Sequence, residues 1–401
     1  MRSLFISYDG MTDPLGRSQV IPYVAGLAGL GHEMTILSAE KPGTETHPIA
    51  SLLASRKISW EHIPYHKKPP ILSSVFDLSR LARKAEALHE KNPFDVIHCR
   101  SVLPGMVGLK MKRKHGIPFI FDSRGFWADE RVEGGVWNRK NPIYDGIYRY
   151  FKKIEKELLH EAAHTITLTH LGRDEILSWK LQREPKIQVI PCCADLELFS
   201  RNSLDPSRVE NLRSKVGLRQ DDWVLVYLGS TGTWYLLTEM LSFFKRLLLR
   251  NPNARFLFIT GDAKTRIWGE ARKIGIDPSR LLIYRADREE VPYYLSLAKL
   301  GISFIKPAYS KKASSPTKLG EMLGMGLPVV MNANVGDSDW IASHYTIGPL
   351  VSDLSDRGYD AALQQLGDTF RIPPEKIRDA AKDYFSLKRG VALYHEVYVS
   401  L

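Results

Sequence analysis

Short runs of apolar residues alternate with longer stretches of helical patterning along almost the whole chain. Uninterrupted apolar runs between helices are typical of parallel strands that helices cover on both faces. The predicted strands are 4–6, 34–37, 95–98, 119–121, 165–168 and 187–190 in the first half of the chain, and 223–227, 255–259, 281–284, 300–304 and 328–330 in the second. Two such sets predict an α/β protein with two doubly wound parallel-sheet domains of the Rossmann-like type, facing a cleft.

The predicted domain boundary follows the last strand of the first set, which ends at Pro191 before a stretch rich in Asp, Asn, Ser and Pro. We place a first domain at 1–198, a linker at 199–220 and a second domain at 221–380. The remaining segment, 381–401, has the pattern of an aromatic-rich helix. Such a helix is expected to pack on another part of the protein.

The composition is that of a water-soluble globular protein, with 44% hydrophobic and 25% charged residues. A length of 401 residues exceeds what one ordinary core accommodates. The N-terminal residues have the pattern of a buried strand and not of a signal peptide, and no apolar run approaches the roughly 18 residues that span a bilayer. Three cysteines form neither a disulfide framework nor a zinc spacing, so a cytoplasmic location is expected.

The chain carries a formal net charge of +11, which favours anionic partners such as phosphates, nucleic acid or an anionic membrane surface. A solvated, lysine-rich surface is the alternative explanation. Basic clusters at 66–68, 110–114 and 152–153 all lie in the first half, which predicts one basic face. Such a face could contact the inner surface of a membrane peripherally. Nucleic acid is not expected as a partner, since no recognised nucleic-acid-binding pattern is present.

The turns that follow the strands are the candidate binding sites, because open parallel sheets bind ligands at the carboxyl ends of their strands. The turn after strand 223–227 contains Gly229, Ser230, Thr231 and Gly232. A helix is predicted to follow directly, over 234–250. Small residues let the backbone approach a ligand, and a helix N-terminus supplies N–H groups and partial positive charge for an anion. An ordinary glycine-assisted turn with a Ser or Thr cap remains the alternative.

A second candidate turn precedes a predicted helix that begins near Thr317. Ser315 and Pro316 are typical of a helix entry. Lys318 then falls in the first helical turn, where a cation is unfavourable for the helix dipole unless an anion binds there. Glu321 lies one turn further on about the same face. An intrahelical salt bridge between Lys318 and Glu321 is the alternative interpretation.

The first domain has two turns of similar character. Gly16 and Arg17 lie near the start of the first predicted helix, where a phosphate could be accommodated. Asp122 and Arg124 follow the strand 119–121 directly, close to an aromatic residue. Folding alone does not require charges at that point, although a surface ion pair would also explain them.

Taken together, these segments resemble the family-4 glycosyltransferases of the GT-B architecture, which has two Rossmann-like domains. The resemblance covers almost the whole chain. The segments that carry it are GHEM at 31–34, IPCCADLELF at 190–199, SPTKLGEMLGMGLPVV at 315–330 and the aromatic helix at 385–398. The segment 315–330 resembles the nucleotide-sugar motif of the family and is the most specific of these signals.

The resemblance implies a donor site in the second domain and an acceptor site in the first, and it implies that the C-terminal helix at 381–401 crosses back to the first domain. Glu321 would accept hydrogen bonds from the ribose hydroxyls, since a carboxylate is an acceptor only and a diol offers two donors. Asp122, Arg124 and Lys318 would be the catalytic residues, the first two by orienting the acceptor. The predicted donor-binding residues are Gly16, Arg17, Gly229, Ser230, Thr231, Gly232, Arg285, Ser315, Pro316, Thr317, Lys318 and Glu321.

The chain departs from the family pattern at two places. Family members commonly carry a glutamate at the position of Ala313, where it contacts the donor sugar. Many also carry an arginine and a lysine in the turn that here reads STGTWYLL, at 230–237. The cations that could replace them are Lys318 and Arg17, with Lys306 or Lys311 as further candidates.

The implied activity is transfer of a sugar from a UDP-, GDP- or other nucleoside-diphosphate sugar to a hydroxyl of a glycan, with retention of the anomeric configuration. A lipid-linked glycan is the preferred acceptor, at a cytoplasmic or peripheral membrane location. No Asp-x-Asp follows a strand, so neither a metal ion nor another cofactor is expected. A nucleotide-sugar epimerase or hydrolase of the same architecture, or a non-catalytic nucleotide-sugar-binding protein, remains open.

Overall fold

The computed structural model describes residues 1–69 and 71–401, and the chain divides into two compact units. The first unit comprises residues 1–191, 312–314 and 387–401, and the second comprises residues 192–311 and 315–386. Each unit contains one sheet of parallel strands with flanking helices. The predicted α/β class with two doubly wound parallel sheets is confirmed.

Within the described residues, the sheet of the first unit has seven strands. They are β1 Arg2–Ser7, β2 Glu33–Glu40, β3 Ser59–Pro64, β4 Val96–Arg100, β5 Phe119–Asp122, β6 His164–Thr167 and β7 Ile187–Val189. Their order is β3-β2-β1-β4-β5-β6-β7. The winding of the chain therefore reverses between β1 and β4, which lie side by side. β3 was not predicted from the sequence, because this edge strand is largely polar and only partly buried.

Helices connect the strands of the first unit. They are α1 Pro14–Gln19, α2 Ile21–Gly29, α3 His47–Ser55, α4 Leu72–Lys91, α5 Val102–His115, α6 Trp127–Glu133, α7 Pro142–Glu161 and α8 His170–Ser178. In α5 every residue from Val102 to Gly105 is buried, whereas its last turn is basic. This helix therefore has an apolar beginning against the sheet and a cationic end, where cations interact favourably with the helix dipole.

The sheet of the second unit contains six described strands. They are β8 Trp223–Leu228, β9 Ala254–Ile259, β10 Leu281–Tyr284, β11 Leu300–Ser303, β12 Val329–Asn332 and β13 Leu350–Val351. Their order is β10-β9-β8-β11-β12-β13. Alternate residues of β8 enter the two apolar clusters of this unit, with Val224 and Val226 in one and Leu225 and Tyr227 in the other. The apolar runs of the sequence thus mark strands that are buried on both faces.

The helices of the second unit are α9 Pro206–Lys215, α10 Leu237–Arg250, α11 Lys264–Lys273, α12 Val291–Ser296, α13 Thr317–Gly324, α14 Ser338–His344, α15 Asp356–Gln364, α16 Leu366–Thr369 and α17 Pro374–Ala380. Short 3-10 turns occur at Arg201–Ser203, Pro278–Arg280 and Tyr309–Ala313. The predicted start of α13 at Thr317 is confirmed. Among the helices of the described residues, none combines the length and apolar character needed to cross a bilayer.

The unit boundaries differ from the predicted domain limits at both ends. The first segment of the first unit ends at Pro191 rather than at residue 198, because Leu196 and Leu198 pack against the core of the second unit. The segment 381–401 is also not one helix. A π-helical turn at Ala381–Phe385 belongs to the second unit, and α18 Leu387–Val399 begins after it in the first unit.

Candidate functional site

The candidate site of the second unit lies where the winding of its sheet reverses. β8 and β11 are hydrogen-bonded neighbours, but the chain leaves β8 toward β9 on one side and returns to β11 on the other. The turn after β8 and the segment that leads from β11 into α13 therefore meet at one edge. This reversal point is where doubly wound sheets bind their ligands.

Lys318, in the first turn of α13, is the central cation of this edge. Its ammonium group donates a hydrogen bond to the Tyr227 hydroxyl, with 2.8 Å between Nζ and the oxygen. The Nζ atom also lies 4.2 Å from the ring centroid of Tyr227 and 3.6 Å from that of Tyr235. Only 6% of the residue is exposed. Cation–π attraction to these two tyrosine rings thus helps to hold the lysine in place.

The turn after β8 is shaped to admit this lysine. Gly229 has a φ of +108°, and a Cβ atom at that position would lie 2.9 Å from the Lys318 Nζ atom. A glycine is therefore required both for the backbone angle and for the space. The predicted turn residue and the predicted cation, far apart in sequence, are thus brought together.

A carboxylate in the segment after β9 fixes the next part of this turn. Asp262 Oδ2 accepts hydrogen bonds from the Thr231 backbone N–H and the Thr231 hydroxyl, at 2.5 and 2.7 Å. Burial opposes ionisation of Asp262, but these hydrogen bonds outweigh it and lower its pKa. The Ser230 carbonyl accepts from the Tyr227 hydroxyl. Ser230 itself is exposed, and Gly232 is partly exposed beside it.

The helix predicted at 234–250 begins three residues later, at Leu237, and this prediction was wrong at its N-terminus. The backbone of Trp234 accepts a hydrogen bond from Lys306 N at 2.8 Å, and Leu236 N donates to Phe304 O at 3.1 Å. The turn after β8 therefore continues as an extended segment that pairs with the chain leaving β11. This pairing depends on tertiary structure, which helical patterning does not reveal.

Glu321 lies one turn after Lys318, and only 7% of it is exposed. Its Oε1 atom is 3.3 Å from Arg288 Nη1. Arg285, which we predicted to border the base of the donor, is exposed, and Arg288 is the arginine that reaches the Glu321 carboxylate. Both arginines lie in the turn after β10, so a cation after that strand could be predicted, whereas its position in the turn could not.

Burial perturbs both charged groups of α13 in opposite directions. It lowers the pKa of Lys318 to about 7, although the charges of Glu321 and Asp262 work against this effect. Burial also raises the pKa of Glu321, against the influence of Arg288 and Lys318. Both groups thus lack the solvation that their charged forms need. A bound anion near Lys318 and hydroxyl donors near Glu321 would supply it.

The entry of α13 has no side-chain cap. Its N-cap residue is Pro316, which offers neither a side-chain acceptor nor an N–H group. The Ser315 hydroxyl accepts a hydrogen bond from Cys192 N at 3.1 Å and so anchors the entry. Thr317 is the first helical residue and is partly exposed. An uncapped helix N-terminus beside a lysine is suited to a phosphate group.

In the first unit, Asp122 is the centre of a buried polar network at the end of β5. It is 1% exposed, and its Oδ2 atom accepts a hydrogen bond from the Tyr394 hydroxyl at 3.0 Å. His98 Nε2 and Arg124 Nη1 each lie 3.7 Å from the same oxygen. Burial opposes ionisation of Asp122, but Arg124 and then His98 outweigh it and lower its pKa. Asp122 therefore lies where it holds Arg124 and α18 in place.

Gly16 and Arg17 lie apart from this network. A Cβ atom at Gly16 would be 2.2 Å from the carbonyl oxygen of Gly10, so the glycine allows two backbone segments to touch. The backbone N–H groups of Met11 and Thr12 are bound by the buried carboxylate of Glu40. Arg17 is exposed on α1. A phosphate contact at Gly16 and Arg17 stays a prediction.

Ala313, at the position where the family commonly has a glutamate, is 2% exposed. If Gly172 carried a Cβ atom, that atom would lie only 2.9 Å from the Cβ atom of Ala313. The position is thus packed against α8 in the first unit. A glutamate there would have to displace neighbouring atoms, because Ala313 is buried.

Comparisons with known proteins bear on the fold of the chain. The chain resembles the sucrose-phosphate synthase of Thermosynechococcus elongatus, with a TM-score of 0.78, 16% identity and coverage of 100% of this chain and 98% of the other. It also resembles the Anabaena protein HepE in complex with UDP-glucose, with a TM-score of 0.72, 14% identity and full coverage of both chains. These similarities show that the chain has a GT-B fold.

Residues 19–193 match the family described as glycosyl transferase 4-like domain. Over 246 residues the chain is 22% identical to the alpha-monoglucosyldiacylglycerol synthase of Acholeplasma laidlawii, which covers 60% of this chain and 58% of that protein. The chain thus spans little more than half the length of this curated relative. Residues 19–193 thus match a glycosyl transferase 4-like domain, and the chain is similar in sequence to glycosyltransferases.

Proposed function

We propose that the protein transfers a sugar from a nucleoside-diphosphate sugar to a hydroxyl acceptor, with retention of the anomeric configuration. The observation that carries the proposal is the buried pair Lys318 and Glu321 at the point where the second sheet reverses its winding. A cation and a carboxylate one helical turn apart match the diphosphate and the ribose of such a donor. The HepE structure with UDP-glucose supports a uridine nucleotide as the first donor to test.

In the proposed reaction the bond from the anomeric carbon to the diphosphate oxygen breaks, and the acceptor oxygen bonds to the same face of that carbon. The departing phosphate oxygen takes the proton of the acceptor hydroxyl, so no protein nucleophile is required. Lys318 and the N-terminus of α13 stabilise the charge that develops on the diphosphate. We propose that these groups suffice without a metal ion.

We propose a lipid or lipid-linked glycan as the acceptor. The name of the Acholeplasma relative supports a diacylglycerol-type acceptor, and the basic end of α5 supports contact with an anionic membrane. Each lysine or arginine near such a surface contributes about 1 kcal/mol to binding. Contact with the inner face of a membrane would bring the enzyme to this acceptor.

The test is to incubate the protein with labelled UDP- and GDP-sugars, with and without lipid acceptors. Labelled product that forms only with an acceptor is expected, and it is expected to persist in the presence of EDTA. Glu321→Gln should abolish transfer and weaken UDP binding, while Glu289→Gln, which changes an exposed carboxylate nearby, should not. Turnover of the donor alone would instead indicate an epimerase or hydrolase, and binding without turnover a non-catalytic protein.

A further inference from the structure

The first unit contains a large open cavity of about 660 Å³ that the donor site does not use. Tyr8, Leu103 and Trp127 contribute to its wall, and they follow the carboxyl ends of β1, β4 and β5 respectively. The cavity therefore lies at the point where the first sheet reverses its winding. This position favours ligand binding in the same way as in the second unit.

The wall of this cavity is mainly apolar and is not covered by other described residues. Several of its hydrophobic side chains are strongly exposed, with Ile143 at 70%, Val75 at 60%, Val136 at 54% and Tyr150 at 49%. Aromatic rings of Trp137 and others complete the wall. Exposed apolar side chains that are grouped around one cavity indicate a binding site for an apolar ligand.

Two polar side chains of the wall, Tyr8 and Arg131, have partners within the protein. The Tyr8 hydroxyl donates to Asp77 Oδ2 at 3.0 Å, and the same carboxylate accepts from the backbone N–H of His66 at 2.9 Å. The Arg131 guanidinium stacks over the Trp127 ring, 4.9 Å from its centroid. The surface that faces the cavity is therefore suited to hydrocarbon rather than to a sugar, which needs many hydrogen-bond partners.

Cations surround this apolar wall. Lys67 and Arg131 lie on the wall itself, and both are exposed. A neighbouring hollow of about 460 Å³ shares Met106 and Tyr150 with the cavity. Its lining adds Lys110, Arg113 and Lys114, whose charge is partly balanced by Glu86 and Glu157. An apolar cavity with cations at its margin is complementary to an amphiphile with an anionic headgroup.

We propose that this cavity binds the hydrocarbon chain of an anionic lipid, whose phosphate lies against Lys67 and Arg131. The identification of this lipid as the acceptor rests on the proposed function, because the cavity opens at the edge of the sheet that carries Asp122 and Arg124. The binding of the chain is independent of the donor and can be tested without any transfer reaction.

The probes are n-alkyl phosphates with chains of about 6 to 14 carbons, used below their micelle concentration. Tryptophan fluorescence reports binding, because Trp127 and Trp137 are in the wall. The dissociation constant is expected to fall about fourfold for each added methylene until the chain fills the cavity. Phosphate alone should bind much more weakly than any of these chains.

Gly146→Phe provides a variant that fills the cavity. Gly146 lies in α7 on the cavity wall, and a Cβ atom there has no neighbour within 4 Å. The matched control is Gly269→Phe in α11, where a Cβ atom also has no neighbour within 4 Å. Gly146→Phe should weaken dodecyl phosphate binding at least tenfold and leave UDP binding unchanged, while the control should change neither.

The outcomes separate this inference from the proposed function. Glu321→Gln should weaken UDP binding and keep alkyl phosphate binding, so a protein that binds the chains but transfers no sugar contradicts only the proposed function. If the affinity does not depend on chain length, only the phosphate headgroup contacts the protein, and the inference is overturned. Equal binding by wild type and Gly146→Phe would overturn it as well.

Discussion

The replacement Lys318→Met tests whether the central cation of the proposed donor site is retained at a cost to stability. Burial lowers the pKa of Lys318 from 10.5 to about 7, so the folded protein disfavours the charged lysine. Methionine has a similar length and makes favourable contacts with aromatic rings such as those of Tyr227 and Tyr235. The Tyr227 hydroxyl keeps its hydrogen bond to the Ser230 carbonyl. The variant should therefore be more stable than the wild type.

The magnitude follows from the two pKa values of the lysine. Since the folded pKa lies below the unfolded one, the unfolded chain binds the additional proton between about pH 7 and 10.5, and stability rises with pH across this window. Below about pH 7 the full difference applies, which corresponds to about 5 kcal/mol. The loss of attraction to Glu321 offsets part of this gain, so about 2–5 kcal/mol is expected at about pH 6.

Thermal unfolding at two pH values measures this effect. For a unit of this size, 1 kcal/mol shifts Tm by about 2–4 °C, so Lys318→Met should raise the Tm of the second unit by at least about 5 °C at about pH 6. The gain should shrink toward about pH 9.5, because the cost of removing the proton from Lys318 falls as the pH approaches the unfolded pKa of 10.5. Lys306→Met, which alters an exposed lysine nearby, should show no such dependence.

The same variant should lose much of its affinity for UDP. A hydrogen bond to a charged group contributes about 1.5–3 kcal/mol, so the dissociation constant should rise about 10- to 100-fold, which calorimetry measures directly. A variant that is less stable than the wild type at about pH 6, or one that binds UDP equally well, would refute the reasoning. In that case Lys318 would be a structural cation and not a ligand-binding one.

Three further predictions follow from the two units. When UDP binds at about pH 8, the protein should take up nearly one proton, because a bound diphosphate raises the pKa of Lys318. Calorimetry in buffers of different ionisation heat measures this uptake, and Lys318→Met should abolish it. Arg288→Met should leave Glu321 without its nearest cation and raise its pKa further, so UDP affinity should fall about tenfold while inorganic diphosphate binds as before. Tyr394→Phe should remove a buried hydrogen bond to Asp122 and lower the stability of the first unit by about 1–3 kcal/mol without changing UDP binding, as thermal unfolding with and without UDP will reveal.

The parts of the fold that could be predicted are those in which burial alone determines the residue pattern. Strands such as β8 are apolar throughout because helices cover both faces of the sheet, so their apolar runs are visible in the sequence. β3 is an edge strand with a largely polar surface, and its pairing with β2 depends on residues far away in the chain. The same is true of Trp234 to Leu236, where pairing with the chain after β11 prevents the predicted helix.

The candidate site could be predicted where the spacing of residues within one short segment determines their relative positions. Lys318 and Glu321 lie on one helix, so their spacing alone places them on about the same face. The contact between Lys318 and the turn at Gly229 instead depends on the neighbouring positions of β8 and β11, which no local pattern encodes. The choice of Arg288 over Arg285 depends on how the turn after β10 bends. Such details follow from tertiary structure and not from spacing.

The two units share one topology but place different chemistry at the point where the winding reverses. In the second unit this point holds a buried lysine and a buried carboxylate whose charged forms are poorly solvated. In the first unit it holds an ion pair between Arg100 and Asp9 beside a large apolar cavity. A diphosphate would solvate the first arrangement, whereas it would gain nothing from the apolar wall of the second. This difference in chemistry, rather than the shared fold, is the reason for assigning the nucleotide to one unit and the lipid to the other.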